Sequence, residues 1–380
     1  MKKFFVAFFA VMIVLLAGCN SVKNTQVCNF GAENAKIRTG FFVDKGSSGG
    51  GVFQVARLLH YSPQLDVTLL DGKDIRNNAL DKLDLLVIPG GSSATQFKMM
   101  GKSGAAKVRA FVKKGGNYVG VCAGFHCTLN RPDRIALLPY VYINGTSGLQ
   151  GRLMIEISEK GAKTLNVAPG RYQVHYSQGP ISKSGKSVAG AKADVLGVYK
   201  NSVGRPGRKH YDFTNHPAIL FGNHGKGKVA ATSFHPEVHV ANHCIFNGMV
   251  YAVTGKKIVQ NFPEKNYRPV RVALYVGHTA GKERIRRMLE LDRHPELDVN
   301  IISGVSDGIL DHCDVFISMA ANSKSFGEFV TKYKPIFRNF MDRGGKIIAA
   351  GSGVKAFEKH RNLIAHPDGK SFVDAALNSK

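Results

Sequence analysis

Gly116-Asn-Tyr-Val-Gly-Val-Cys122-Ala-Gly124-Phe-His126 opens with a β-prone apolar run and halts at a cysteine set between small residues. A helix-compatible segment follows. In an α/β sheet this order describes a nucleophile elbow, a sharp strand-to-helix turn that holds one side chain out above the sheet. Gly120 and Gly124 suit such a turn, because its crowded backbone leaves no room for a Cβ two residues to either side. A cysteine at the start of a helix also meets unpaired N–H groups and the positive end of the dipole, which favour its thiolate. A lone Gly-x-Cys-x-Gly fits a buried cysteine packed at a strand end better, so the reading turns on two further segments.

Leu83-Asp-Leu-Leu-Val-Ile88-Pro89-Gly90-Gly91 is an apolar strand running into a turn. Its backbone N–H groups lie open to a substrate, since glycine has no side chain to block them. Val229-Ala-Ala-Thr-Ser-Phe-His235-Pro236-Glu237 is another strand that ends in polar residues. Together the three segments supply a cysteine nucleophile, a histidine base, a carboxylate to orient the imidazole and a backbone pocket for an oxyanion.

The Pro-Gly-Gly turn, the Gly-x-Cys-Ala-Gly elbow and the later His-Pro-Glu resemble the class I glutamine amidotransferase superfamily. Within it, Val108 to Gly124 is most similar to the amidotransferase-like domain named after the N-terminal part of biotin-protein ligases. The resemblance covers roughly residues 36 to 255. It implies a flavodoxin-like fold, an α/β architecture with a doubly wound, mostly parallel sheet. By position it implies Cys122, His235 and Glu237 as catalytic residues, with Gly91 and Ala123 donating N–H groups to the oxyanion. Gly90 and His126 then fall beside the substrate. Amidotransferases often carry Gln where this chain has His126, a departure that points away from glutamine itself.

On either side of these segments, Ile37–Val43, Leu65–Leu70 and Leu83–Ile88 read as strands, with helices at Val52–His60 and Ala105–Lys114. Strands alternating with helices at this spacing mean a parallel sheet, whose ligands bind beyond the strands' C-terminal ends. Lys45 to Gly51 is glycine-rich but lacks the spacing of a phosphate-binding loop, and reads as a substrate-side loop. Short β segments come next at Leu153–Ile157, Tyr172–Tyr176, Val195–Tyr199 and Ala218–Gly222. Tyr172 to Pro180 resembles a near-pocket segment of the biotin-ligase-type family. The basic loop Asn201 to His210 reads as a solvated hairpin tip or a contact for an anionic substrate. His235, His239 and His243 recur at helical spacing, but Pro236 disfavours helix there, so no metal site is assigned.

Lys257 to Pro269 reads as a linker, and the chain beyond it repeats the beginning. Pro63-Gln-Leu-Asp-Val67 recurs as Pro295-Glu-Leu-Asp-Val299, and Phe111-Val-Lys-Lys-Gly-Gly-Asn-Tyr-Val recurs as Phe340-Met-Asp-Arg-Gly-Gly-Lys-Ile-Ile. Aligning the paired glycines puts Gly351 at the position of Cys122 and Ser318-Met-Ala at that of Pro89-Gly-Gly. The second copy therefore keeps the elements and loses the nucleophile. The expected organisation is a leader over 1–18, a tether over 19–35, an amidotransferase-like domain over 36–256, a linker over 257–269 and a smaller degenerate repeat over 270–380.

The leader has Lys2 and Lys3 before an apolar core from Phe4 to Leu16, too short for a comfortable membrane span. Leu16-Ala17-Gly18-Cys19 matches a bacterial lipobox, which implies cleavage before Cys19 and its lipidation. That places the chain in the cell envelope, held to the membrane by lipid, and at the outer membrane if the source is Gram-negative, because Asn20 follows. With 52 Lys+Arg against 27 Asp+Glu the formal charge is +25, which favours anionic envelope polymers as partners. The basic residues are spread along the chain, and nucleic acid is not an expected partner of an exported protein. The remaining cysteines form no disulfide framework. No cofactor is implied. The function read from the sequence is hydrolysis of an amide, with a small amide as the other candidate partner. The competing reading is a non-catalytic binding or scaffold lipoprotein that reuses the fold.

Overall fold

The computed structural model describes residues 35–143, 146–204, 212–277, 281–302, 304–305, 308–319, 323–350, 363–366 and 372–378. The leader, Cys19, the tether up to residue 34, Cys28, the basic loop from residue 205 and Gly351 lie outside the described residues. From Lys36 onward the chain is one compact unit.

Two sheets carry it. The first is built from β1 (Ile37–Phe42), α1 (Gly50–His60), β2 (Leu65–Leu70), α2 (Gly72–Arg76), β3 (Leu85–Ile88), α3 (Ser93–Lys114), β4 (Asn117–Val121) and α4 (Ala123–Thr128). The chain continues through β5 (Tyr140–Ile143), β6 (Gln150–Ile157), α5 (Glu159–Leu165), β7 (Gly170–Ser177), β8 (Ile181–Ser184), β9 (Ala191–Tyr199), β10 (Pro217–His224), β11 (Gly227–Thr232) and α6 (His243–Thr254). Nine of these strands form one sheet in the order β2-β1-β3-β4-β11-β10-β9-β6-β7, while β5 and β8 pair separately. From β2 to β11 the pairing is parallel, and from β11 through β10, β9 and β6 to β7 it is antiparallel. This is a mostly parallel, doubly wound sheet extended by an antiparallel wing.

The apolar pattern dictates the layering. All four residues of β3 are buried, the mark of a central parallel strand covered on both faces. On one face α1 buries Val52, Phe53, Val55, Ala56, Leu58 and Leu59. On the other, α3 buries Met100, Ala105, Val108 and Val112. The helix expected from Ala105 starts twelve residues earlier, and a break at Gly101 (φ 68°) divides it. The short α2 is held by reciprocal caps: the Asp71 carboxylate accepts from Lys73 and Asp74 N–H, and Asp74 accepts from Asp71 N–H.

The second sheet comprises β12 (Val270–Tyr275), α7 (Lys282–Arg293), β13 (Leu297–Ile302), β14 (Val315–Ser318), α8 (Ser323–Lys332), α9 (Lys334–Asp342), β15 (Lys346–Ala350), β16 (Leu363–His366) and α10 (Phe372–Leu377). Its order, β13-β12-β14-β15-β16, is wholly parallel and reproduces that of β2-β1-β3-β4-β11. The likeness extends to individual joints. Arg38 donates N–H and guanidinium bonds to Asp84, and Arg271 does the same to Asp314. Gly116 N–H donates to Phe111 O at 3.0 Å, and Gly345 N–H to Phe340 O at 3.0 Å. In both places the phenyl ring sits where a Cβ would be, 2.3 Å away at Gly116 and 2.4 Å at Gly345.

The two sheets meet along α1 and the start of α2. Arg57 Nε lies 2.8 Å from the buried Asp292 Oδ2 on α7, and Lys282 Nζ is 2.9 Å from Asp71 Oδ2 and also bonded to Asp74. Residues 257–269 form a packed strap: Gln260 Nε2 donates to Ser62 and Asn247, Asn261 N–H to Tyr61 O, and Phe262 packs edge-on against Tyr61.

Candidate active site

The C-terminal ends of β3, β4 and β11 converge at one point. Cys122 follows β4 directly, at φ 51° and ψ −98°, a strained conformation for a residue with a Cβ. Such a backbone costs about 1–3 kcal/mol and persists only where the surroundings enforce it. Here they do. Cys122 N–H donates to Thr232 O at 2.8 Å, His126 N–H donates to Cys122 O at 3.0 Å, and Tyr118 OH donates to Gly124 O at 2.7 Å. A Cβ at Gly124 would lie 2.1 Å from Ile88 O, and one at Gly120 2.6 Å from the Gly124 carbonyl carbon. Both glycines are therefore required by the turn.

His235 stands just beyond β11, and its N–H donates to His175 O at 2.9 Å. Its Nδ1 is 2.7 Å from Glu237 Oε1. A carboxylate only accepts, so Nδ1 carries the proton and Nε2 is left for Cys122. Glu237 is fully buried, and its Oε2 has no hydrogen-bond partner among the described residues. Burial opposes charge on the imidazole. The Glu237 carboxylate and the Cys122 sulfur outweigh it, and His235 is held protonated well above the usual histidine range.

Two glycines leave room for this arrangement. A Cβ at Gly90 would stand 2.8 Å from His235 Cε1 and 3.6 Å from Cys122 Cβ, so both side chains meet over Gly90. A Cβ at Gly51 would stand 2.4 Å from Glu237 Oε1 and 3.2 Å from His235 Nδ1. Cys122 itself is buried, and its Sγ lies 3.6 Å from Ser177 O at the end of β7. The sheet curls far enough for its last strand to wall the site.

Gly91 (φ 130°) pairs with Ser47 through Ser92 N–H to Gly46 O (2.7 Å) and Ser48 N–H to Gly90 O (3.4 Å). These bonds flank Gly91 and leave its own N–H out of the pairing. A side chain there would collide with Gly46 O at 1.9 Å. Ala123 is the first residue of α4, so its N–H has no place in the helical ladder.

His126 lies on α4 beside Cys122. Its Nδ1 is 3.0 Å from Ser93 Oγ, its ring is 4.5 Å from that of Tyr142, and its buried Nε2 has no partner among the described residues. Burial, then the charges of Arg134 and Arg131 against that of Asp133, push its pKa down to about 3. His126 is thus a neutral polar group at the rim. His235, His239 and His243 share no helix face: α6 begins only at His243, whose Nε2 faces Glu237 O at 3.2 Å. Cys127 is fully buried on the opposite side of α4, and burial raises its pKa to about 12.

Of the residues the sequence singles out, Cys122, His235, Glu237 and Gly90 meet at this point; Gly91 and Ala123 adjoin it along the chain, and the His126 side chain turns to Ser93 and Tyr142. Gly51, at the end of the stretch read as a substrate-side loop, joins them, and Ser93 supports His126 with no signal in the sequence. Gly51 lies in the first turn of α1, at the end of a glycine-rich stretch whose spacing does not reveal that it faces Glu237.

A doubly wound sheet with its cysteine elbow at the end of β4 resembles the class I glutamine amidotransferase-like fold. Within it, residues 41–131 match the family model described as biotin-protein ligase, N terminal. That match spans the Pro-Gly-Gly turn and the elbow, and ends before His235. No curated protein matches the chain. Among solved structures it is similar to PurLQS from Thermotoga maritima, with 15% identity over 57% of this chain and 98% of that one and a TM-score of 0.41. A cytoplasmic protein from Salmonella typhimurium gives 11% identity, 57% and 98% coverage and 0.38. The carbohydrate deacetylase Agd3 gives 11% identity over 64% of this chain and 35% of that one, with 0.41.

Proposed function

We propose that the chain hydrolyses an amide bond through Cys122. The observation that supports this most is the line Cys122–His235–Glu237, with its ring oriented by a 2.7 Å bond to a buried carboxylate. In this reading the thiolate attacks the amide carbon, and the resulting oxyanion meets the N–H groups of Gly91 and Ala123. His235 gives its Nε2 proton to the departing amine, the C–N bond breaks, and a thioester remains on Sγ. Water then attacks the thioester while His235 takes up its proton. The C–S bond breaks, and the acid leaves with the thiolate restored. Glu237 keeps the imidazole oriented through both steps. Gly90 and His126 border the acyl portion. No metal or cofactor enters these steps.

The Cys19 lipobox and the +25 charge favour an envelope lipoprotein that works near anionic polymers. The decisive comparison is the rate at which chloroacetamide alkylates each cysteine. Cys122 is expected to react ahead of the exposed Cys244 despite its burial, and His235→Ala is expected to remove that advantage. Alkylation in simple order of exposure favours the scaffold reading.

A further inference from the structure

We propose that the outer face of β6 and β7 beside Cys122 binds a carboxylate of the substrate, through Arg152, His175 and His239. The inference rests on Cys122 being the nucleophile and adds the chemical class of what it attacks.

Strand alternation fixes which side chains share this face. Leu153, Ile155, Val174 and Tyr176 are buried in the core, so Arg152, His175 and Ser177 point the opposite way. Arg152 and His175 are direct partners across the two strands, which puts their side chains side by side. The His175 ring lies 5.8 Å from that of His235 and 6.2 Å from that of His239. Thus two imidazoles gather next to the protonated His235, with Arg152 beside them on the neighbouring strand.

The negative charges nearby are already committed. Glu237 is bonded to His235, and Glu156, four residues along β6 from Arg152, is 3.0 Å from Lys200. Arg152 joins no ion pair among the described residues. The local field is positive, and His175 registers it: its pKa is lowered by burial first, then by His235 against Glu237, with His239 and Arg152 adding to the effect.

Reach gives the ligand its length. Ser177 O lies 3.6 Å from Cys122 Sγ, and His175 is two residues back along the same strand. Two residues of strand span roughly 7 Å. A substrate whose carboxylate lies about that far from the scissile carbon fills both places. A neutral amide of the same length leaves the Arg152 guanidinium without a counter-charge.

The test uses two probes of equal length, chloroacetyl-β-alanine and its neutral methyl ester. Each alkylates a thiolate with loss of chloride, and the carboxylate of the first lies about 6 Å from the reacting carbon. The acid is expected to label Cys122 about tenfold faster than the ester or better, and 0.5 M NaCl is expected to shrink the preference. Arg152→Gln should bring the ratio near one, and Arg152→Lys should restore part of it. Equal rates for both probes in the unaltered protein, with Cys122 still ahead of Cys244, overturn the carboxylate subsite and leave the nucleophile standing. If neither probe labels Cys122 ahead of Cys244, the nucleophile itself fails.

Discussion

Replacing His126 by glutamine should flatten the dependence of stability on pH in the acid range. The folded pKa is about 3 against an ordinary 6.5, because burial and the Arg134 and Arg131 charges disfavour the imidazolium. A base with a depressed folded value contributes fully above its unfolded pKa, and the contribution is lost as pH falls. The unfolded chain takes up a proton near 6.5 that the folded chain refuses until about 3. Working the linkage for one such group, stability at pH 5 is about 2 kcal/mol lower than at pH 8. His60, His175, His224 and His243 are depressed in the same direction, so the raw curve of either protein slopes for several reasons. The difference between the two proteins isolates His126. Urea unfolding at pH 5, 6, 7 and 8 gives that difference directly, and the gap should move by about 2 kcal/mol in favour of the glutamine variant as pH falls. A gap that stays constant within about 0.5 kcal/mol would refute the buried, neutral imidazole.

Gly51→Ala should slow alkylation of Cys122 by about tenfold, equivalent to about 1.4 kcal/mol, because its Cβ would stand 2.4 Å from Glu237 Oε1 and push the carboxylate off His235. The melting temperature should change by only a few degrees, since overpacking costs about 1–3 kcal/mol and alanine improves the first turn of α1; unchanged alkylation would show that Glu237 does not orient the ring. Expressed with its leader in a bacterial host, the mature protein should begin at Cys19 and carry acyl mass, and Cys19→Ala should abolish that mass. An unacylated N-terminus elsewhere would end the lipoprotein assignment.

Much of this architecture can be read from local pattern. The all-apolar run at Leu85–Ile88 and the small residues about Cys122 carry their meaning within a few positions, and β3 and the elbow lie where the sequence puts them. The repeat is legible for the same reason, since the second glycine of each pair, Gly116 and Gly345, sits under a phenylalanine five residues earlier. The features that escape depend on distant parts of the chain meeting. Arg38 with Asp84 and Arg271 with Asp314 mark both copies with the same clasp, yet each pair is more than forty residues apart in sequence. Gly51 matters only because α1 begins against Glu237. The stretch 257–269 reads as a linker by its polar composition, but Gln260, Asn261 and Phe262 find partners just after α1 and on α6 that no local pattern announces. The start of α3 at Ser93 is hidden by Gly101, whose left-handed backbone interrupts the periodicity on which a helix is recognised.

Whether Cys122 forms a thioester decides between a hydrolase and a scaffold, and intact mass after rapid mixing with an activated amide or p-nitrophenyl ester measures it. The expected result is an added acyl mass on Cys122, released by hydroxylamine, missing in Cys122→Ala, and slow to form in His235→Ala. An adduct on Cys244 or on lysines with none on Cys122 would contradict the thioester.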